Sequence, residues 1–172
     1  MKHILSFLAA VAVILFVACA CEKEGAPRFE GNYTFKTGGT LSSRPSGDTS
    51  AELSDIAIVP ESGQMDIITT DKSSGDMILT MNILGGTVVT FSAKADGMTL
   101  TLSAVKRQVS LSPPNVSSDL LRPLADVEVR GIGERFDDII IFRLDYKGRY
   151  TYSGTEYEIV ESTVDCVAKM NR

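Results

Sequence analysis

An all-β chain, an antiparallel up-and-down β-barrel of about eight to ten strands, is what this sequence predicts, with a β-sandwich as the alternative. Three observations predict it. Apolar and polar residues alternate with period two along most of the chain, the signature of a strand with one buried face. Gly-containing turns recur at hairpin spacing. Beyond the N-terminal 28 residues no stretch carries helical periodicity. The 172 residues, 44% hydrophobic and 23% charged, suffice for one domain with a real core and argue against disorder. No Cys…Trp…Cys spacing supports an immunoglobulin-like sandwich, since Trp is absent.

The first element is a processing segment. Lys2 and His3 form a short basic start, Ile4 to Ala18 is apolar apart from Ser6, and small residues and cysteines follow in Ala18-Cys19-Ala20-Cys21. That is the layout of a cleavable signal. Phe16-Val17-Ala18-Cys19 resembles a bacterial lipoprotein signal, in which the Cys after the cut is lipidated; Phe stands where Leu is usual. The resemblance implies Cys19 as the lipid acceptor, with Cys21 as the alternative. An uncleaved anchor helix and a soluble secreted protein are the competing readings. The expected organisation is a signal over 1–18, a lipidated Cys and tether over 19–28 ending in Glu22-Lys23-Glu24-Gly25-Ala26-Pro27, and one β domain over 29–172. Acidic residues after the Cys resemble a surface-display signal of some Gram-negative groups.

The strands follow. Phe29, Gly31, Tyr33 and Phe35 alternate with polar residues, then Gly38-Gly39 and a Ser/Pro/Gly loop from Ser42 to Ser50 intervene. Short strands are expected near 54–59 and 64–70, joined by Pro60-Glu61-Ser62-Gly63. Met77, Leu79, Met81 and Ile83 share one face of the next strand. A three-residue loop, Leu84-Gly85-Gly86, would pair Met81 with Val89 and Leu79 with Phe91, keeping faces matched. Asp96-Gly97 reads as a two-residue turn pairing Ala95 with Met98, Ala93 with Leu100, Phe91 with Leu102 and Val89 with Ala104. The strand 88–95 is then central between two neighbours.

Ser112 to Pro123 is irregular, and Leu120 and Leu121 suit a short helical turn over one barrel end. Strand pattern resumes at 126–129, where Gly131 and Gly133 suggest a bulge or bend. Ile140, Phe142, Leu144 and Tyr146 share one face of 137–146; Lys147-Gly148 turns into 149–153, and 157–169 closes the chain. Cys166, alternating with Val164 and Ala168, reads as a small buried hydrophobe rather than as a partner for Cys21.

The signal, the acidic tether, the opening Gly31-Asn32-Tyr33-Thr34-Phe35 strand and the closing Val164-Asp165-Cys166-Val167-Ala168 strand resemble small Gram-negative envelope lipoproteins with a calycin-like, or lipocalin-like, barrel. The likeness is one of layout, and the lipocalin Gly-x-Trp signature is missing. It implies an outer-membrane lipid anchor, facing periplasm or cell surface, and no shared ligand.

Composition narrows the chemistry. His3 is the one His and is lost with the signal, which excludes Ser-His-Asp or Cys-His catalysis and imidazole ligands to zinc in the mature chain. Losing Lys2 as well takes the formal net charge from −5 to −6, unsuited to nucleic acid. Ser103-Ala104-Val105-Lys106 matches Ser-x-x-Lys, but on a strand those side chains face opposite ways. Gly131-Ile132-Gly133 has no following helix and is no dinucleotide fingerprint. Asp137-Asp138 reads as a solvated strand start, and 71–76 lacks calcium-loop spacing. No cofactor, metal or catalytic residue is assigned.

The expected function is non-enzymatic binding by a membrane-anchored lipoprotein. The first expectation is a small hydrophobic ligand inside the barrel, touching Met77, Met81, Phe91, Met98, Leu100 and Phe142; Met65 shares that face. The second is a solid barrel with a structural or interaction role, docking an envelope protein or glycan; Tyr146, Tyr150, Tyr152 and Tyr157 could form an aromatic platform. The third is a carboxylate-dependent hydrolase using two carboxylates about 5–10 Å apart. An interior void suits the first, a filled interior the second.

Overall fold

The computed structural model describes residues 25–114 and 122–171. Cys19, Cys21, the signal segment and the Leu120-Leu121 turn lie outside the described residues. A 3-10 turn over Ala26–Arg28 leads into nine antiparallel strands: β1 Gly31–Pro45, β2 Ser54–Ile58, β3 Ser62–Asp71, β4 Asp76–Ile83, β5 Val88–Asp96, β6 Thr99–Ser112, β7 Leu124–Phe136, β8 Ile139–Tyr152 and β9 Thr155–Met170. They form one sheet in the order β2-β1-β3-β4-β5-β6-β7-β8-β9, closed into a ring because β9 also pairs with β1 and β2 with β6. Closure removes most free edges.

The ring is not simply up-and-down. The same edge of β1 pairs with β3 along 31–36 and with β2 along 40–43. On the far side β6 pairs with β5 along 99–102 and with β2 at 111–112. One mouth is therefore ringed by eight strands and the other by six, with β2 replacing the trio β3–β5. The opening strand does not stop at Gly38-Gly39 but runs to Pro45. Its β9 ladder requires Gly at 39, where an added Cβ would lie 2.0 Å from the Thr163 carbonyl oxygen.

The alternation read from sequence builds the core. Tyr33, Phe35, Met65, Ile67, Met77, Leu79, Met81, Phe91, Leu100 and Phe142 are buried, as are Val164, Cys166 and Ala168. The β4–β5 loop is the three-residue one. Met81 pairs with Val89, Leu79 with Phe91, and the Ile83 N–H donates to Thr87 O at 2.8 Å.

The β5–β6 turn corrects the expectation. Ala95 pairs with Leu100 and Ala93 with Leu102, so the loop is Gly97-Met98, with Gly97 at φ 56 in the first central position. Gly there is the type II′ preference, whereas the Asp-Gly reading placed Gly second. Moving a loop by one residue moves the pairing by two, so the expected faces survive from Leu100 to Leu102 and fail at the tip and, past the β6 bulge, at Ala104. Met98, expected inside, is 54% exposed.

Three further corrections concern irregularities. The break lies in β6, between Leu102 and Val105, not at Gly131 and Gly133, which sit in an unbroken β7–β8 ladder. That extra residue turns Ala104 outward and brings Arg107, Val109 and Leu111 to the inner side. Strand β8 runs through Lys147-Gly148 and turns only after Tyr152; its ladder to β9 skips between Leu144 and Gly148. The Ser162 hydroxyl fills that gap, accepting from Tyr146 N–H at 3.0 Å and donating to Leu144 O at 3.3 Å. Finally, β5 is central only along 93–96; residues 88–92 pair with β4 alone.

Candidate functional site

The expected interior ligand positions are brought together, apart from Met98. Met77, Met81, Phe91, Leu100 and Phe142 belong to one continuous apolar cluster, and none of them lines the larger cavity on β6–β9 or the smaller one on β6–β8. The four tyrosines do not make an exposed platform. Tyr146 and Tyr150 are buried in the cluster, Tyr152 and Tyr157 pack against it, and Tyr150 stacks on Tyr157 with ring centroids 5.1 Å apart and planes 9° off parallel. The Tyr150 hydroxyl is tied to Ser43 Oγ at 2.7 Å.

A charged cluster interrupts the interior. Thr37 and Glu61 exchange hydrogen bonds where β1 changes partner from β3 to β2: Thr37 N–H donates to Glu61 O at 2.7 Å, and Glu61 N–H to Thr37 Oγ1 at 2.9 Å. The Glu61 carboxylate forms an ion pair with Arg107, whose side chain is 8% exposed. Its second oxygen, Oε2, is buried with no partner. Tyr146 and Cys166 feel this pair. Burial raises the Tyr146 hydroxyl well above its ordinary value, with Arg107 opposing and Glu61 adding to the rise. Burial, then the Glu61 carboxylate, pushes the Cys166 thiol up to about 12. A thiol held neutral is a poor nucleophile, so the cluster reads as a structural strap from β6 to the β2–β3 corner.

Sequence reasoning missed this pair. A signal for Arg107 existed, because Val105, Arg107, Val109 and Leu111 alternate in one register; Glu61 sits in a turn with nothing to single it out.

The larger cavity, about 750 Å³, is a groove on the outer face of β6–β9. Cross-strand register places Thr101, Ile132, Arg143 and Asp165 in one outward row, and Glu134, Ile141 and Val167 in the next. Ile132 and Phe136 are 53% and 52% exposed, unusual for side chains of that size. The β6 bulge and the β8 skip lie on either side of Gly131, at the middle of the groove. Its rim is charged: Arg130 pairs with Asp145 at 2.7 Å, and Arg143 and Glu134 flank the apolar floor. An apolar floor with a polar rim is the anatomy of a docking surface.

Among the described residues no group of three or more His, Cys, Asp or Glu side chains is placed to hold a metal ion. None of their helices is long and apolar enough to cross a membrane. Compared with protein-family models the chain matches none, and no curated protein matches it.

Proposed function

We propose that this is a lipid-anchored envelope lipoprotein, attached through Cys19 at the outer membrane, that works without catalysis as a docking scaffold. Its groove on β6–β9 takes apolar side chains of an envelope partner protein. The observation that carries this reading is the placement of free apolar surface. Apart from Met98, the positions expected to touch an interior ligand are packed against each other, while Ile132, Phe136 and Ile141 stand unpartnered around the outer groove. With the tyrosines stacked or buried, Phe136 is the single aromatic ring in the groove and stands among the aliphatic Ile132 and Ile141, which favours a protein partner over a glycan.

The test is a photo-crosslinking amino acid placed at Ile141 in the groove and, separately, at Ile68 on outer β3. A discrete adduct from Ile141, absent from Ile68 and lost when Ile132→Asp is added, is the expected result. An apolar molecule co-purifying one-to-one with the protein, and displaced by Met81→Trp, would overturn the scaffold in favour of an interior ligand.

A further inference from the structure

The eight-strand mouth carries a second exposed apolar feature, which meets the lower end of the groove at Phe136. Met98 tips the β5–β6 turn and Phe136 starts the β7–β8 turn, 54% and 52% exposed. Thr99 pairs with Glu134, so the two turns are neighbours on the same rim. The chain enters at this mouth. Ala26 and Phe29 are buried in the core cluster, the Tyr33 hydroxyl donates to Phe29 O at 2.8 Å, and the 3-10 turn packs against β5. The six residues from Cys19 to Glu24 reach about 20 Å at full extension, so a lipid on Cys19 holds this mouth close to the bilayer.

We infer that the eight-strand mouth is a bilayer contact surface, with Met98 and Phe136 resting in the lipid interface. The inference rests on the lipid-anchor reading and goes beyond it, because a tether alone leaves the barrel free to tumble. The occupant is lipid, not a second copy of the chain, because the point where the chain enters the barrel and the apolar turn tips share one rim. Asp96, Asp137 and Asp138 adjoin the two tips, and Arg135, the cation between the turns, is engaged by Asp137 O at 2.7 Å. The contact is therefore apolar and shallow, and suits zwitterionic lipid better than anionic lipid. Seated this way, the groove starts beside the membrane at Phe136 and climbs away from it, and the 46–53 loop faces outward.

The chain has no Trp, so a single Trp reports its own position. Met98→Trp and Leu84→Trp, the latter halfway up the wall and replacing a side chain 76% exposed, are each made in the lipidated protein. Both are reconstituted in phosphatidylcholine vesicles with brominated acyl chains. The expected result is strong quenching of the Trp at 98, at least twofold beyond the one at 84. Equal quenching at both sites, in protein that carries a fatty-acid label, overturns the bilayer contact and leaves the anchor standing. Absence of label in the parent protein overturns the anchor, and the contact with it.

Discussion

Glu61 and Arg107 show how a single pair of side chains ties β6 to the β2–β3 corner. Both lie in a low-dielectric interior where each compensates the other's desolvation. Removing one partner strands a buried charge, at a cost of about 3–5 kcal/mol. Arg107→Met or Glu61→Ala is expected to lower stability by that amount in urea unfolding. The double variant Arg107→Met/Glu61→Leu should recover most of it, because Oε2 of Glu61 is unsatisfied already. Cys166 gives a second prediction, in pH. Its ordinary value is 9.0 and the folded value about 12, so between them the folded chain holds a proton that the unfolded chain has lost. Stability is then complete below about pH 9 and falls as pH rises. Tyr33, Tyr146 and Tyr150, all raised first by burial from 10.0, extend the fall to higher pH. Melting temperature measured from pH 7 to 11 should drop above 9, and Cys166→Ala should delay the onset toward 10. The burial of Cys166 was legible from its alternation with Val164 and Ala168. The ion pair that tunes it was not, because its two halves lie 46 positions apart.

Strands β5, β6 and β7 show where local pattern succeeds and where neighbours overrule it. The Leu84-Gly85-Gly86 loop was readable because only one loop length matches apolar faces across β4 and β5. The β5–β6 loop was misplaced by one residue because parity alone cannot tell Asp-Gly from Gly-Met at the tip; both put Ala95 and Leu100 inside. In β7 the glycines looked like bends, yet their strand is regular. At Gly133 the missing side chain is the point: an added Cβ would lie 2.5 Å from the Phe142 ring. Gly133→Ala should cost roughly 1–3 kcal/mol by overpacking, measured by chemical denaturation, and Phe142→Leu should relieve part of it. The bulge of β6 has no comparable sequence mark. It arises where β6 leaves β5 and reaches across to β2, a long-range event that no window of β6 residues records.

For the whole molecule, strength is spread unevenly around the ring. The β1–β9 and β7–β8 ladders run nearly the length of their strands, while β5 and β6 share four residue pairs. Hydrogen exchange should therefore be slowest in β1, β8 and β9 and fastest along residues 88–92, whose β6-facing edge has no ladder. Uniform protection across β5 and β9 would contradict that seam. Function, as proposed, belongs to the strong side: the groove lies on β6–β9, a stiff platform for a partner. Ile132→Asp should leave the melting temperature within about 1 °C, since surface changes are normally small, while abolishing the Ile141 adduct.

The class of fold, most of the strands and most buried faces were legible in the order of residues alone, because alternation is a property of neighbouring residues and survives a turn shifted by one. That order also supplied the anchor expectation, which rests on an apolar run and the cysteines after it. Tertiary structure alone decided that the ring narrows from eight strands to six, that Arg107 points inward to Glu61, and that free apolar surface sits outside the barrel at Ile132, Phe136 and Ile141. Those features depend on which strand lies beside which, and pairing partners tens of residues apart leave no local periodicity to read.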